Sequence, residues 1–309
     1  ETANPPILFT TSEDGKTLTI SGQGDLTKDD ESSVIDAINA QVLKGVKTQS
    51  NQITGTYENI KLVNTVPAQP LVIDKYFVSA ILFPTTNGGN PSANLTTKDL
   101  DLGEATVKDL SGSMFKEPAN STGWAGRLEQ LEHITIPLTK KTSVTDDYTQ
   151  ATEERMVVPA NFMYDINSVI WLLPKFTSVT IPEGYEEIGE KAFYQVSHIK
   201  TYSLPSTLKK IDDFAFASCD LSSITLNEGL EHIGKGAFQS DKFTSVNFPS
   251  SLRVIDDYAF LNVPIKGIKL NAGLEYIGNA ALAMLYAITE SVLEIPASMK
   301  YIAPWAFNA

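Results

Sequence analysis

Along residues 131–309, large apolar residues recur on a fixed grid with polar residues between them. The segments Phe176-x-x-Val179-x-Ile181-Pro182, Ile199-x-x-Tyr202-x-Leu204-Pro205, Leu221-x-x-Ile224-x-Leu226-Asn227, Phe243-x-x-Val246-x-Phe248-Pro249 and Ile265-x-x-Ile268-x-Leu270-Asn271 share one internal spacing. Leu131-x-x-Ile134-x-Ile136-Pro137, Met156-x-Val158-Pro159 and Leu293-x-Ile295-Pro296 fall on the same grid, so the closing Pro or Asn positions step by 22, 23, 23, 22, 22, 22 and 25. Such alternation predicts a short strand with one buried face. Proline, which cannot donate to a ladder, or asparagine, which bends into a turn, ends it. A second apolar group follows in each unit: Tyr185, Ile188 and Ala192-Phe193, then Leu208, Ile211 and Ala215-Phe216, and so on to Met299, Ile302 and Ala306-Phe307. It predicts an irregular or short helical turn leading back to the next strand. One unit cannot bury such a stripe alone, whereas stacked units bury it continuously, so the pattern predicts a solenoid.

The grid weakens upstream. Val78-x-x-Ile81-x-Phe83-Pro84 and Leu100-x-Leu102, the latter with Leu110 and Met114-Phe115, read as degenerate units; Tyr57-x-x-Ile60-x-Leu62 with Val72 and Tyr76-Phe77 reads as one more. Lys116 to Arg127, rich in Pro, Gly and Asn and carrying Trp124, reads as an inserted surface loop. Residues 1–50 differ: a strand-like run from Asp14 to Gly24, then a helix capped by Ser32 or Ser33 with Val34, Ile35, Ile38, Val42 and Leu43 on one face, stopping at Gly45. The expected organisation is an N-terminal strand-plus-helix cap at 1–50, degenerate repeats at 51–130 and regular repeats at 131–309. An independent small domain at 1–50 is the alternative.

From 131 onward the units resemble the BspA-like, Treponema-type leucine-rich repeats, whose pattern is L-x-x-I-x-L-P-x-x-L-x-x-I-x-x-x-A-F followed by Cys or a small residue. Phe216-Ala217-Ser218-Cys219-x-Leu221 matches even the cysteine. The resemblance implies a right-handed leucine-rich repeat solenoid, with parallel strands on one face and irregular or short helical turns on the other. It also implies a non-catalytic module on the surface of a bacterium or protist, attached to host proteins or other cells.

Composition narrows the partners. With 24 Lys+Arg against 37 Asp+Glu the net charge is −13, which argues against nucleic acid and anionic membranes as partners. An apolar fraction of 42% predicts an ordinary folded core. The longest apolar run, Ala280 to Ile288, is far shorter than the ~18 residues of a membrane span. The chain starts at Glu1 without methionine, from which export with a removed leader is expected.

Candidate chemistry is sparse. His133, His198 and His232 occupy different phases of the repeat and read as surface residues, and no H-x-x-H or C-x-x-C spacing offers a zinc site. No G-x-S-x-G elbow is present, so neither a nucleophile nor a cofactor is assigned. Asp99 and Asp101 share one strand face, a possible calcium pair or, preferably, a solvated acidic strand edge. Cys219, the single cysteine, is expected as a buried core thiol. Four places after each Pro or Asn stand Glu186, Lys209, Glu231, Arg253, Glu275 and Lys300, alternating in sign. Either this ladder sets the coil register, since a slip of one coil would bring like charges together, or it is the trace of a two-unit duplication. Trp171 and Leu172 occupy positions that are polar in sibling units, and form either an exposed apolar patch or one covered by the polar stretch Lys140 to Gln150.

Outward positions of the first-half strands are polar and poor in carboxylates. Thr180, Ser203, Thr225 and Asn247, with Lys200, Lys266 and Lys269, form the candidate binding face for a protein or glycan, whereas acids gather on the turns at Glu183, Glu187, Asp212, Asp213, Asp256 and Asp257. A lack of exposed aromatic residues implies modest affinity there. A surface glycan-processing enzyme, which would need two facing carboxylates, and a passive stalk presenting another domain are the alternatives.

Overall fold

The computed structural model describes residues 7–27, 31–44, 47–49, 52–54, 57–85, 93–115, 128–146, 148–164, 173–285 and 292–308. The chain forms two compact units, one of Glu1–Lys140 with Ser168–Thr177 and one of Lys141–Asn167 with Ser178–Ala309.

In the first unit, strand Leu8–Thr11 pairs antiparallel with Thr17–Gly22, which starts a parallel series through Asn59–Asn64, Asp99–Asp101 and His133–Thr135. Leu18, Ile20, Ile60, Leu62, Leu100 and Ile134 alternate into the core. Helix Glu31–Val42 buries Ile38 and Val42. The degenerate unit at Val78 to Pro84 is not a strand. It is the helix Lys75–Leu82, because Asp74 caps it by accepting from the N–H groups of Tyr76 and Phe77 while Phe77, Val78, Ile81 and Leu82 turn inward at helical spacing. A second parallel sheet joins Val72–Ile73, Thr106–Val107 and Leu138–Thr139.

In the second unit the strands lie elsewhere than the repeat predicts. First halves pair only at Ser178–Thr180 with Thr201–Ser203; at 222–226, 244–248 and 266–270 no strand forms. The difference coincides with a shortened connection. From Phe193 to Ile199 is six places, whereas Phe216 to Leu221, Phe238 to Phe243 and Phe260 to Ile265 are five. Ile224, Leu226, Val246 and Phe248 are accordingly only half-buried. The continuous ladder runs instead through the second halves, expected as turns: Glu187–Ile188, Lys210–Ile211, His232–Ile233, Val254–Ile255, Tyr276–Ile277 and Tyr301–Ile302, all parallel. It is preceded by a hairpin of Lys141–Thr145 and Thr152–Val158, whose last two residues pair with Glu187–Ile188.

The core under this ladder is layered. Ile188, Ile211, Ile233, Ile255 and Ile277 are fully buried, and Phe193, Phe216, Phe238 and Phe260 stack at 5.2, 5.5 and 5.4 Å between ring centres.

Turns of neighbouring coils dovetail. Asp213 Oδ1 accepts from Lys235 N at 2.8 Å and Asp257 Oδ1 from Asn279 N at 2.6 Å, each in the following coil. These contacts need glycine opposite them. A Cβ on Gly234 would stand 2.8 Å from Asp213 N, and one on Gly278 2.3 Å from Asp257 N. Ser250 in turn donates to Glu228, and Asn271 Nδ2 to Leu252 O at 2.6 Å. Gly278→Ala is therefore expected to lose ~1–3 kcal/mol through a forced backbone shift, measured as a lower urea midpoint. An unchanged midpoint would mean that the dovetail does not constrain the coils.

Candidate functional site

Strand alternation puts the residue before each ladder isoleucine on the outward face, giving the row Glu187, Lys210, His232, Val254, Tyr276 and Tyr301. Asp212 and Asp256 flank it. Lys210 Nζ lies 3.5 Å from Asp212, and His232 Nε2 lies 3.7 Å from Asp256, beyond hydrogen-bond length. The hairpin folds back over this row. Asp146 Oδ1 forms its tip by accepting from the N–H groups of Tyr148 and Thr149. Tyr148 then donates its hydroxyl to Asp256 Oδ2 at 3.0 Å, and its ring meets His232 at 5.1 Å and Tyr276 at 5.6 Å, both edge to face. At the hairpin's base Arg155 reaches Glu187 at 3.4 Å and Glu153 at 3.2 Å, and Lys141 lies 3.6 Å from Glu186.

Burial sets the electrostatics. Arg155, Glu187, Lys210 and His232 are each less than a tenth exposed. Burial pushes the Glu187 carboxyl above the usual carboxylate range, against the pull of Lys210 and Arg155. Burial also opposes the charge on Asp256, but His232, the Asp257 N–H and the Tyr148 hydroxyl hold that carboxyl below its usual range. The Tyr148 phenol is driven up by burial and by Asp256. The row meets the hairpin through ion pairs and the Tyr148 hydroxyl; among the described residues no group of three or more His, Cys, Asp or Glu could hold a metal ion.

Three readings of the sequence are corrected here. His232 is buried under Tyr148, and His198 is half-buried with its ring pushed down to about 4 by desolvation and Lys200, so neither is a plain surface histidine. Glu187 is a buried strand residue, since the ladder runs through it. Asp99 and Asp101 also lie on an interior strand, paired on both sides, not on an acidic edge; burial raises the Asp99 carboxyl.

Of the candidate binding face, Ser203, Thr225, Asn247, Lys200, Lys266 and Lys269 are exposed and Thr180 is half-buried. Thr180 and Ser203 are register partners in paired strands; Thr225, Asn247 and Lys269 lie outside strands. Trp124, Trp171 and Leu172 lie outside the described residues. Along the charge ladder, Lys209 is 3.5 Å from Glu186, while Glu275 is 3.3 Å from Arg253 and 2.8 Å from Lys300. Glu231 joins the same row through its N–H, which donates to Lys209 O at 2.8 Å. Cys219 is fully buried, its thiol donating to Phe193 O at 2.8 Å and pushed up by burial and Asp241. Sequence reasoning missed the hairpin, although the alternation in Lys141–Thr145 and Thr152–Val158 around an Asp-led turn is its signal.

No described helix is long and apolar enough to cross a membrane. A comparison with curated proteins finds no match. Among solved structures the chain is similar to the leucine-rich repeat protein of T. pallidum, at 12% identity over 93% of this chain and 92% of that one with a TM-score of 0.37. It is also similar to a leucine-rich repeat protein from Eubacterium ventriosum, at 15% identity over 98% and 92% with a TM-score of 0.34. A leucine rich cell surface protein from Faecalibacterium prausnitzii is 22% identical over 57% of this chain, with a TM-score of 0.37; the chain spans about half, 49%, of that protein. Residues 166–289 match the model of the BspA type leucine rich repeat region in six copies. Residues 166–289 therefore carry BspA-type leucine-rich repeats, stacked there as one parallel ladder.

Proposed function

We propose that the chain is a non-catalytic binding module, exported and displayed at a cell surface, which holds a protein or glycan partner along its first-half face. The observation that carries this reading is the exposure of Ser203, Thr225, Asn247, Lys200, Lys266 and Lys269 on one carboxylate-poor stretch of a chain whose net charge is −13. Hydroxyl, amide and ammonium groups make many weak hydrogen bonds to a partner. Affinity at one such face is modest and rises with multivalent display. Replacing Thr180, Ser203, Thr225 and Asn247 together with Glu is expected to abolish capture of the protein by immobilised extracellular-matrix proteins and mucin. Undiminished capture of a folded variant would remove the partner from this face.

A further inference from the structure

We propose that the outward face of the second unit's ladder is a second recognition surface, for an extended protein segment carrying a tyrosine and an arginine, and that the hairpin at 141–156 is the chain's own occupant of it. The hairpin tip engages groups far along the chain: Tyr148 and Asp256 are 108 residues apart. Its grip is made of separate polar contacts, the Tyr148 hydroxyl on Asp256 and Arg155 on Glu187, with an aromatic edge on His232 and Tyr276. These are the contacts by which one protein segment reads another.

Two features mark a removable cover. Buried ions are costly to desolvate, and a permanent lid is as well served by apolar residues. Yet this one covers Glu187, Lys210 and His232, and leaves His232 Nε2 buried without a hydrogen-bond partner. The hairpin also buries little of itself. Lys141, Thr142, Ser143, Thr145, Tyr148, Thr149, Thr152, Glu153 and Glu154 are exposed and Arg155 is its one buried residue between 141 and 156 among those described, so little apolar area holds it closed. A partner segment with the same Tyr and Arg replaces those contacts one for one. Its acids would face Lys209, as Glu153 does at 3.7 Å.

The test uses the full chain with Tyr148→Ala and Arg155→Ala, which releases the cover, and a fluorescent synthetic peptide of residues 141–156 as the probe. The variant is expected to bind the peptide at least tenfold more tightly than the unaltered chain, and adding Asp256→Ala and Glu187→Gln is expected to abolish that binding. No binding by a variant that keeps the parent's circular dichroism, or equal binding by the unaltered chain, overturns the proposal. Should the double variant fail to fold, amide exchange in the unaltered chain decides: amides of Thr142 to Thr152 are expected to exchange at least tenfold faster than those of Ile211 and Ile233, and equal protection overturns it. The probe is a piece of the chain itself, so no outside ligand enters either result.

Discussion

Phe216→Ala is expected to cost about 3–5 kcal/mol, read as a large drop in the urea midpoint of the second unit. The ring is fully buried, stacked on Phe193 at 5.2 Å and 8° and on Phe238 at 5.5 Å and 3°, with the Tyr202 ring edge-on at 4.8 Å. Its removal leaves a cavity between coils whose spacing is fixed by their ladder bonds, such as Gly234 N to Ile211 O at 2.7 Å, so neighbours cannot close the gap. Each coil touches only its neighbours, and a lesion here weakens the coupling between the two sides of the stack. The transition should broaden as well as shift. Phe307→Ala, at a half-buried ring of the last coil, should cost clearly less. A loss below ~1.5 kcal/mol at Phe216 would show that the coils can slide to fill the void.

The stacking was legible because it rests on residue spacing alone: Ile188, Ile211, Ile233 and Ile255 recur at one phase and all reach the core. Strand placement was not. Alternation in Leu221 to Leu226 looks like a strand, but a ladder also needs its N–H and C=O groups in register with the neighbouring coil, and that depends on connection length, which side-chain pattern does not encode. Conversely, Lys210–Ile211 and His232–Ile233 are too short to show a period, and only their partners make them strands. At Val78 the helix won because Asp74 supplies a cap, a signal visible in the sequence beside the competing repeat spacing. The residues singled out for a binding face were chosen for polarity, a property of side chains, and most are exposed. Those under Tyr148 became a cluster only by a contact across four coils, such as Tyr148 to Asp256, for which no local pattern exists.

Asp241→Asn is expected to stabilise the protein at pH 8 and to leave it unchanged near pH 4. Counting three places after each Phe, or Leu282, of the ladder gives Val196, Cys219, Asp241, Val263 and Leu285, so an acid occupies a position that its siblings fill with apolar or thiol groups. Asp241 is 0% exposed; its Oδ1 accepts from Cys219 N and Leu221 N, both at 3.1 Å, and its Oδ2 has no partner. Burial, only partly offset by those two N–H groups, raises the carboxyl from 3.8 to about 8. The sign follows from linkage. Between those values the folded chain holds a proton that the unfolded chain has released, so this group's contribution to stability is complete below about pH 4 and is lost as pH rises through about 8. Such a rise sets an upper bound of ~6 kcal/mol, and local relaxation around the charge lowers the realised cost to ~2–4 kcal/mol. Asparagine keeps the acceptor for both N–H groups and carries no charge at any pH. Carboxylates remote from it, such as Asp256, respond to pH identically in both proteins, so the difference between variant and parent reports on Asp241 and its immediate surroundings. Urea unfolding at intervals from pH 4.5 to 8.5 should show that difference growing steadily in favour of the variant. A difference that stays constant across the range would mean that Asp241 is ionised in the folded state throughout, with its charge met by more than Cys219 N and Leu221 N.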